Sequence, residues 1–181
     1  MFVSNLNLKG LKMLIDISKL NKDKQYIVLE IGVGVIARTL QNIQHKVYND
    51  IPVEKLASHA FAIYNGNVYE SHAKWNGVKK YSIDEYNRDN KNPVLIYEYS
   101  LNVNRLEYYV KFNPGYSFTQ LADDVADRLM GLKVPAAVGM VCSEYVAACL
   151  EDFDICYKIK VPYQLITPAD LQEYFKDKQV I

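Results

Sequence analysis

Apolar positions along this chain change period several times, and each change marks an element. Leu8, Leu11, Leu14, Ile15 and Ile17 recur at helical spacing, with Asn21 placed to end that helix. Residues 26–31 then read Tyr-Ile-Val-Leu-Glu-Ile, a run suited to a buried strand. The Gly32-Val33-Gly34 break leads into a second helix through Val35, Ile36, Leu40 and Ile43, and Asn49, Asp50 and Pro52 form the loop beyond it. Two strand-like runs, 58–64 and 67–72, flank Asn65-Gly66. Both central positions of a type I′ turn need positive φ, which this dipeptide tolerates, so the segment predicts a tight hairpin. Short strands over 78–81 and 94–99 extend the same sheet. Helices are predicted over 104–111, 117–129 and 142–151, and a last strand over 155–159. Thr167-Pro168-Ala169-Asp170 opens a final helix: a Thr cap, Pro at the first helical position and an acid in the first turn. The sum is an α+β fold, a central antiparallel sheet with packed helices. It is read as one domain over 1–181, with 1–24 as an N-terminal helical extension.

The hairpin determines which side chains meet. With a two-residue loop, Tyr64 faces Asn67, Ile63 faces Val68, Phe61 faces Glu70 and His59 faces His72. Paired residues share a face, as do residues two apart on one strand. Glu70 is therefore the diagonal neighbour of His59, with backbones about 7 Å apart. A carboxylate there can accept one imidazole N–H and leave the second nitrogen basic. His72, directly opposite, is a second candidate for orienting His59 or for lining the cleft. A one-residue slip in register would separate Glu70 from His59 altogether.

Cys142 falls at or just before the first turn of the helix over 142–151. Free backbone N–H groups and the positive end of the helix dipole favour a thiolate there and can bind an oxyanion. Cys149 recurs with Val146 and Leu150 at helical spacing, and Cys156 lies in an alternating apolar run, so both read as core residues. Three Cys without CxxC spacing do not make a disulfide framework, which fits a reducing compartment.

Composition narrows the partners. Lys plus Arg and Asp plus Glu number 21 each in 181 residues, so the chain lacks the basic excess that nucleic acid or an anionic membrane attracts. No uninterrupted apolar stretch approaches the roughly 20 residues of a membrane span, and no targeting signal is read, so the chain is expected to be cytoplasmic. Fifteen Tyr suit a cleft with polar edges.

The hairpin His59-Ala-Phe-Ala-Ile-Tyr-Asn-Gly-Asn-Val-Tyr-Glu70-Ser, followed later by Val141-Cys142-Ser143-Glu144-Tyr145-Val146, resembles the circularly permuted NlpC-type papain-like proteins of the YiiX/YaeF-like kind. Lecithin retinol acyltransferase-like proteins are more distant members of that group. His comes first, an acid follows on the next strand, and Cys arrives later at a helix start. Residues 32–43, 77–86 and Thr167-Pro168-Ala169-Asp170-Leu171 are also similar to the family, so the likeness spans roughly residues 25 to 175. Phe61, two after the His, and the adjacent pair Gly115-Tyr116 depart from its pattern.

The resemblance implies a permuted papain-like fold and a thiol hydrolase acting on amide or ester bonds through Cys142, His59 and Glu70, without metal or organic cofactor. It also covers acyltransferases acting on lipids, so a peptide, amide or lipid ester is the expected substrate. A non-catalytic binding or structural module that keeps the fold is the alternative of another class. Ser58, Trp75 and Tyr145 are candidates for the groove wall, with His72 and Tyr145 the candidate substrate-binding residues. A metal site from His45, His59, His72 and Cys142 is a further alternative, although its spacings match no compact ligand motif.

Overall fold

The computed structural model describes residues 17–117, 139–151, 154–161 and 165–178. Its centre is a five-stranded antiparallel sheet built from β1 (Gln25–Glu30), β2 (His59–Tyr64), β3 (Asn67–His72), β4 (Gly77–Ser82) and β5 (Val94–Glu98), in the order β4-β3-β2-β1-β5. The hairpin takes the register its turn predicts, pairing Tyr64 with Asn67, Ile63 with Val68 and Ala62 with Tyr69. Asn65 and Gly66 have φ of 48° and 70°, the two positive values a type I′ turn requires. Because β2 is the middle strand, His59 at its start has β1 on one side and β3 on the other.

The sheet is buried on both faces. One face presents Ile27, Leu29, Ala60, Ala62 and Tyr97 to the helices α3 (Val103–Phe112), α4 (Cys142–Cys149) and α6 (Pro168–Phe175). Ala60 and Ala62 are the small side chains on which α4, buried along its whole length, can lie close. The other face presents Tyr26, Val28, Phe61, Ile63, Val68 and Ile96 to Ile17 and to α2 (Ile83–Asp89). Fully burying a side chain such as Phe61 or Ile63 contributes about 1.5–3 kcal/mol, so this two-sided core holds the strand carrying His59 rigidly.

The segment leading into β2 is held by amide side chains. From α1 (Val35–Gln44), buried Gln41 donates to Leu56 O at 2.7 Å and Gly32 O at 3.2 Å. Gln44 donates to Ala57 O and accepts from Ala169 N, both at 2.9 Å. Gln172 of α6 accepts from Ala57 N at 2.8 Å and donates to Lys55 O at 3.0 Å. Thr167 caps α6 as its sequence predicts, with Asp170 returning the bond to the Thr167 N–H at 2.6 Å.

Some expectations are corrected. Residues 154–159 form the short helix α5 (Asp154–Ile159) and not a strand. Ile155 and Ile159 are four apart, a spacing that suits one face of a strand and one turn of a helix alike. Tyr157 decides between them: a strand would put it on the buried face of Ile155, whereas it is exposed on the far side of a helix. α2 is a helix that the apolar spacing does not announce, although Ser82 accepts from Glu85 N at 3.1 Å in an ordinary capping arrangement. The predicted helix over 117–129 and most of the first helix lie outside the described residues. Ile17–Lys19 is a 3₁₀ turn whose Ile17 is buried in the second core. Among the described residues no helix is long and apolar enough to cross a membrane.

Candidate active site

His59 begins β2, Glu70 lies inside β3, and Cys142 is the first residue of α4. Several contacts bring these elements into register. Ser71, the residue after Glu70, donates from Oγ to Met140 O at 2.5 Å, tying β3 to the start of α4. Met140 N–H donates to Gly115 O at 3.0 Å, and Val141 N–H reaches Glu144 Oε2 at 3.4 Å. Gly139 has φ +127°, and a Cβ there would come within 2.9 Å of Ser117, so only glycine permits this approach to the start of α4. Ser143 Oγ donates to Ile166 O at 2.5 Å, fixing the first turn of α4 to the segment before α6.

The imidazole of His59 is the hub. Its Nε2 lies 2.8 Å from Glu70 Oε2, and both side chains are largely buried, 14% and 6% exposed. With Nε2 committed to the acid, Nδ1 is the nitrogen left for a second partner, and Cys142 lines the same cavity as the ring. Burial opposes a charged ring, but Cys142 and the Glu70 carboxylate outweigh it and hold the His59 pKa well above its ordinary value. Glu70 also accepts from Tyr81 Oη at 2.7 Å and Trp75 Nε1 at 3.0 Å, both on Oε1. Burial alone would raise its pKa; the hydrogen bond and charge of His59, aided by Tyr81 and Trp75, lower it to about 2.

Glu70, and not His72, takes the ring N–H of His59. His72 Nδ1 accepts from Lys74 N at 2.8 Å, and its ring stands edge-on to His59 with centroids 5.1 Å apart. The Phe61 ring is also close to His59, at 6.0 Å. Glu30, which sequence reasoning missed, faces His59 across the β1–β2 ladder. It collects Tyr86 Oη at 2.9 Å, Asn92 Nδ2 at 2.6 Å and Asn90 Nδ2. Its signal in the sequence is the acid ending the alternation Tyr26, Val28, Glu30, which becomes informative only once β1 is paired with β2.

Two cavities flank His59, of about 260 and 240 Å³, and share Glu30, His59, His72 and Asn92. The first is polar, with Glu70, Trp75 and Tyr81 in its wall. The second runs from Val33, Ile36, Ala37 and Leu40 to Ser58, Tyr116 and Cys142. Ser58, Trp75 and His72 thus stand in the walls of this cleft. Tyr145 does not: it is fully buried in the first core, its Oη 3.5 Å from Leu106 O and its ring against Tyr109. Cys149 is likewise buried, its thiol pushed up to about 12 by burial, while Cys156 is only partly covered. The four-residue metal alternative is not assembled: His45 Nδ1 lies 3.0 Å from Ile51 O, and among the described residues no three His, Cys, Asp or Glu side chains converge to hold an ion.

Chemically, a thiol at a helix start, an imidazole beside it and a buried carboxylate on the far nitrogen can move a proton off sulfur and keep the resulting imidazolium in place. No family model, curated protein or solved structure matches the chain. The mixed α+β class and the geometry of this cleft are therefore what a functional reading rests on.

Proposed function

We propose that this chain is a thiol hydrolase acting on amide or ester bonds, with a permuted papain-like, NlpC-type arrangement of its site. The observation that carries the reading is His59, bonded to Glu70 at 2.8 Å and lining one cavity together with Cys142 at the head of α4. In the first step His59 Nδ1 takes the Sγ proton and sulfur attacks the carbonyl carbon, moving the π electrons onto oxygen. The Cys142 backbone N–H, one of the first-turn donors that a helix leaves without an internal acceptor, stabilises that oxyanion. Collapse of the intermediate expels the amine or alkoxide, which takes the proton from imidazolium, and leaves a thioester on Cys142. Water, deprotonated by His59, then attacks the thioester and releases the acid, returning the proton to sulfur. Every step uses protein groups and water alone. Glu70 remains ionised throughout and holds the ring's Nε2–H.

The apolar wall of Val33, Ile36, Ala37 and Leu40 leading to Cys142 favours a second reading of the same chemistry, in which an alcohol or amine replaces water and the protein acts as an acyltransferase. Cys142→Ala tests both. It is expected to abolish labelling by a thiol-directed acylating probe while far-ultraviolet circular dichroism and the melting transition stay as in the wild type. Undiminished labelling would remove Cys142 from the mechanism.

A further inference from the structure

We propose that His72 is a positioning residue for the nucleophile–base pair: its neutral imidazole holds the His59 ring against Glu70, and its protonation disables the pair. The inference rests on the thiol-hydrolase reading of Cys142 and His59 and deepens it by assigning a proton-linked control within the same cleft.

The geometry is specific. His72 ends β3, two residues beyond Glu70, and its ring meets His59 edge-on at 82° with centroids 5.1 Å apart. Phe61 adds a second ring at 6.0 Å, so the catalytic imidazole is confined by an aromatic and by another imidazole. His72 itself is pinned by the Lys74 N–H, which donates to its Nδ1 at 2.8 Å at the start of the 3₁₀ turn Ala73–Trp75. That bond requires Nδ1 to be unprotonated and puts the ring proton on Nε2. Protonation of His72 would place a second N–H where the Lys74 N–H points, breaking the bond that fixes the ring.

The surrounding charges tie this event to His59. Around His72 stand His59 on β2, Glu70 on β3, Glu30 on β1 and Lys74 in the following turn, with Asp89 of α2 paired to Lys74 at 3.7 Å and Cys142 across the shared cavity. Burial and the His59 charge push the His72 pKa below its ordinary value; the two carboxylates act in the opposite sense without reversing it. His59, by contrast, is held toward its charged form. Two cationic rings at this separation repel, so a proton gained by His72 weakens the hold of His59 on the proton it must take from sulfur. The site therefore works while His72 is neutral and His59 can hold the proton it takes from sulfur, and it fails as the pH drops through the His72 transition, which lies below the ordinary imidazole value.

The test is the second-order rate of Cys142 alkylation by iodoacetamide from pH 4.5 to 7.5, read peptide by peptide by mass spectrometry. His72→Gln retains an acceptor for the Lys74 N–H but does not titrate. Relative to wild type, it is expected to raise the ratio of the rate at pH 4.5 to that at pH 7.5 about fivefold or more. A parallel change at every pH, or none, overturns the proposal. In case the substitution perturbs folding, imidazole proton resonances of the unaltered protein and of His59→Gln give a second measure: the His72 transition is expected to move up when His59 is removed, and an unmoved transition overturns the proposal. A wild-type Cys142 no more reactive than Cys149 and Cys156 would instead defeat the hydrolase reading, so the two failures are distinguishable.

Discussion

Replacing Glu70 with Gln exchanges an oxygen for an amino group at nearly constant shape, and the surrounding donors dictate where that group must go. Tyr81 Oη and Trp75 Nε1 both donate to Oε1, and the indole N–H can do nothing but donate. The oxygen of the introduced amide therefore has to take the Oε1 position, and its NH₂ is forced toward His59 Nε2. That nitrogen must then accept, which places the imidazole proton on Nδ1, the nitrogen proposed to take the Cys142 proton. A base with its proton on the wrong nitrogen cannot take one from sulfur, and the loss expected for this tautomer reversal is about 10⁴-fold in rate. Stability changes too. A carboxyl held at about 2 in place of its ordinary 4.5, on a side chain only 6% exposed, corresponds to roughly 3 kcal/mol. The folded value lies below the unfolded one, so this stabilisation is complete above pH 4.5 and is lost as the pH falls toward 2. Glu70→Gln is thus expected to be roughly 3 kcal/mol less stable than wild type at pH 7, with more than half of that difference gone by about pH 3. Urea unfolding at the two pH values and the rate of labelling by a thiol-directed acylating probe measure both effects. Equal labelling rates, or a stability difference independent of pH, would rule out this role for the Glu70 carboxylate.

Two further substitutions probe the frame around the site. Gln44→Leu leaves Ala57 O and Ala169 N without their buried partners and is expected to lower stability by about 2–6 kcal/mol in urea unfolding, from roughly 1–3 kcal/mol for each orphaned group. Gly32→Ala places a Cβ 2.7 Å from Ala37 Cβ and 2.8 Å from Ser58 Oγ, so about 1–3 kcal/mol of overpacking and a displaced His59 ring resonance are expected. Gly34→Ala, at the α1 N-cap with open space around its Cβ, is the steric control: it is expected to cost no more than about 1 kcal/mol as a poorer cap and to leave the His59 ring resonance in place.

What could be read from the chain alone follows the range of the interactions concerned. The Asn65-Gly66 turn is a two-residue decision, and it carries the register that puts His59, Glu70 and His72 on one face. The Thr167 cap and the start of α4 at Cys142 are equally local. Glu30 escapes a linear reading because its importance comes from the pairing of β1 with β2 and from Asn90 and Asn92, some sixty residues away. Tyr145 reads as a groove residue because it follows Cys142 closely. Three residues nevertheless carry it about 4.5 Å further along the helix axis, past the cleft and into the core beside Cys149. The choice between Glu70 and His72 as the partner of His59 needs side-chain rotamers: the Glu70 carboxylate reaches the ring, while His72 turns to the Lys74 N–H.

The bonds from α6 have a consequence for how the chain is made. The hairpin 59–72 can close as soon as its turn has emerged from the ribosome, since its pairing is local. The stretch just ahead of His59, however, obtains its partners from Ala169, through Gln44, and from Gln172, and the first turn of α4 obtains one from Ile166. The start of β2 and the start of α4 therefore gain these partners only after more than a hundred residues beyond His59 have been translated. On the proposed reading the Cys142–His59 pair is thus completed late in synthesis, by contacts from residues 166–172 and not by the hairpin.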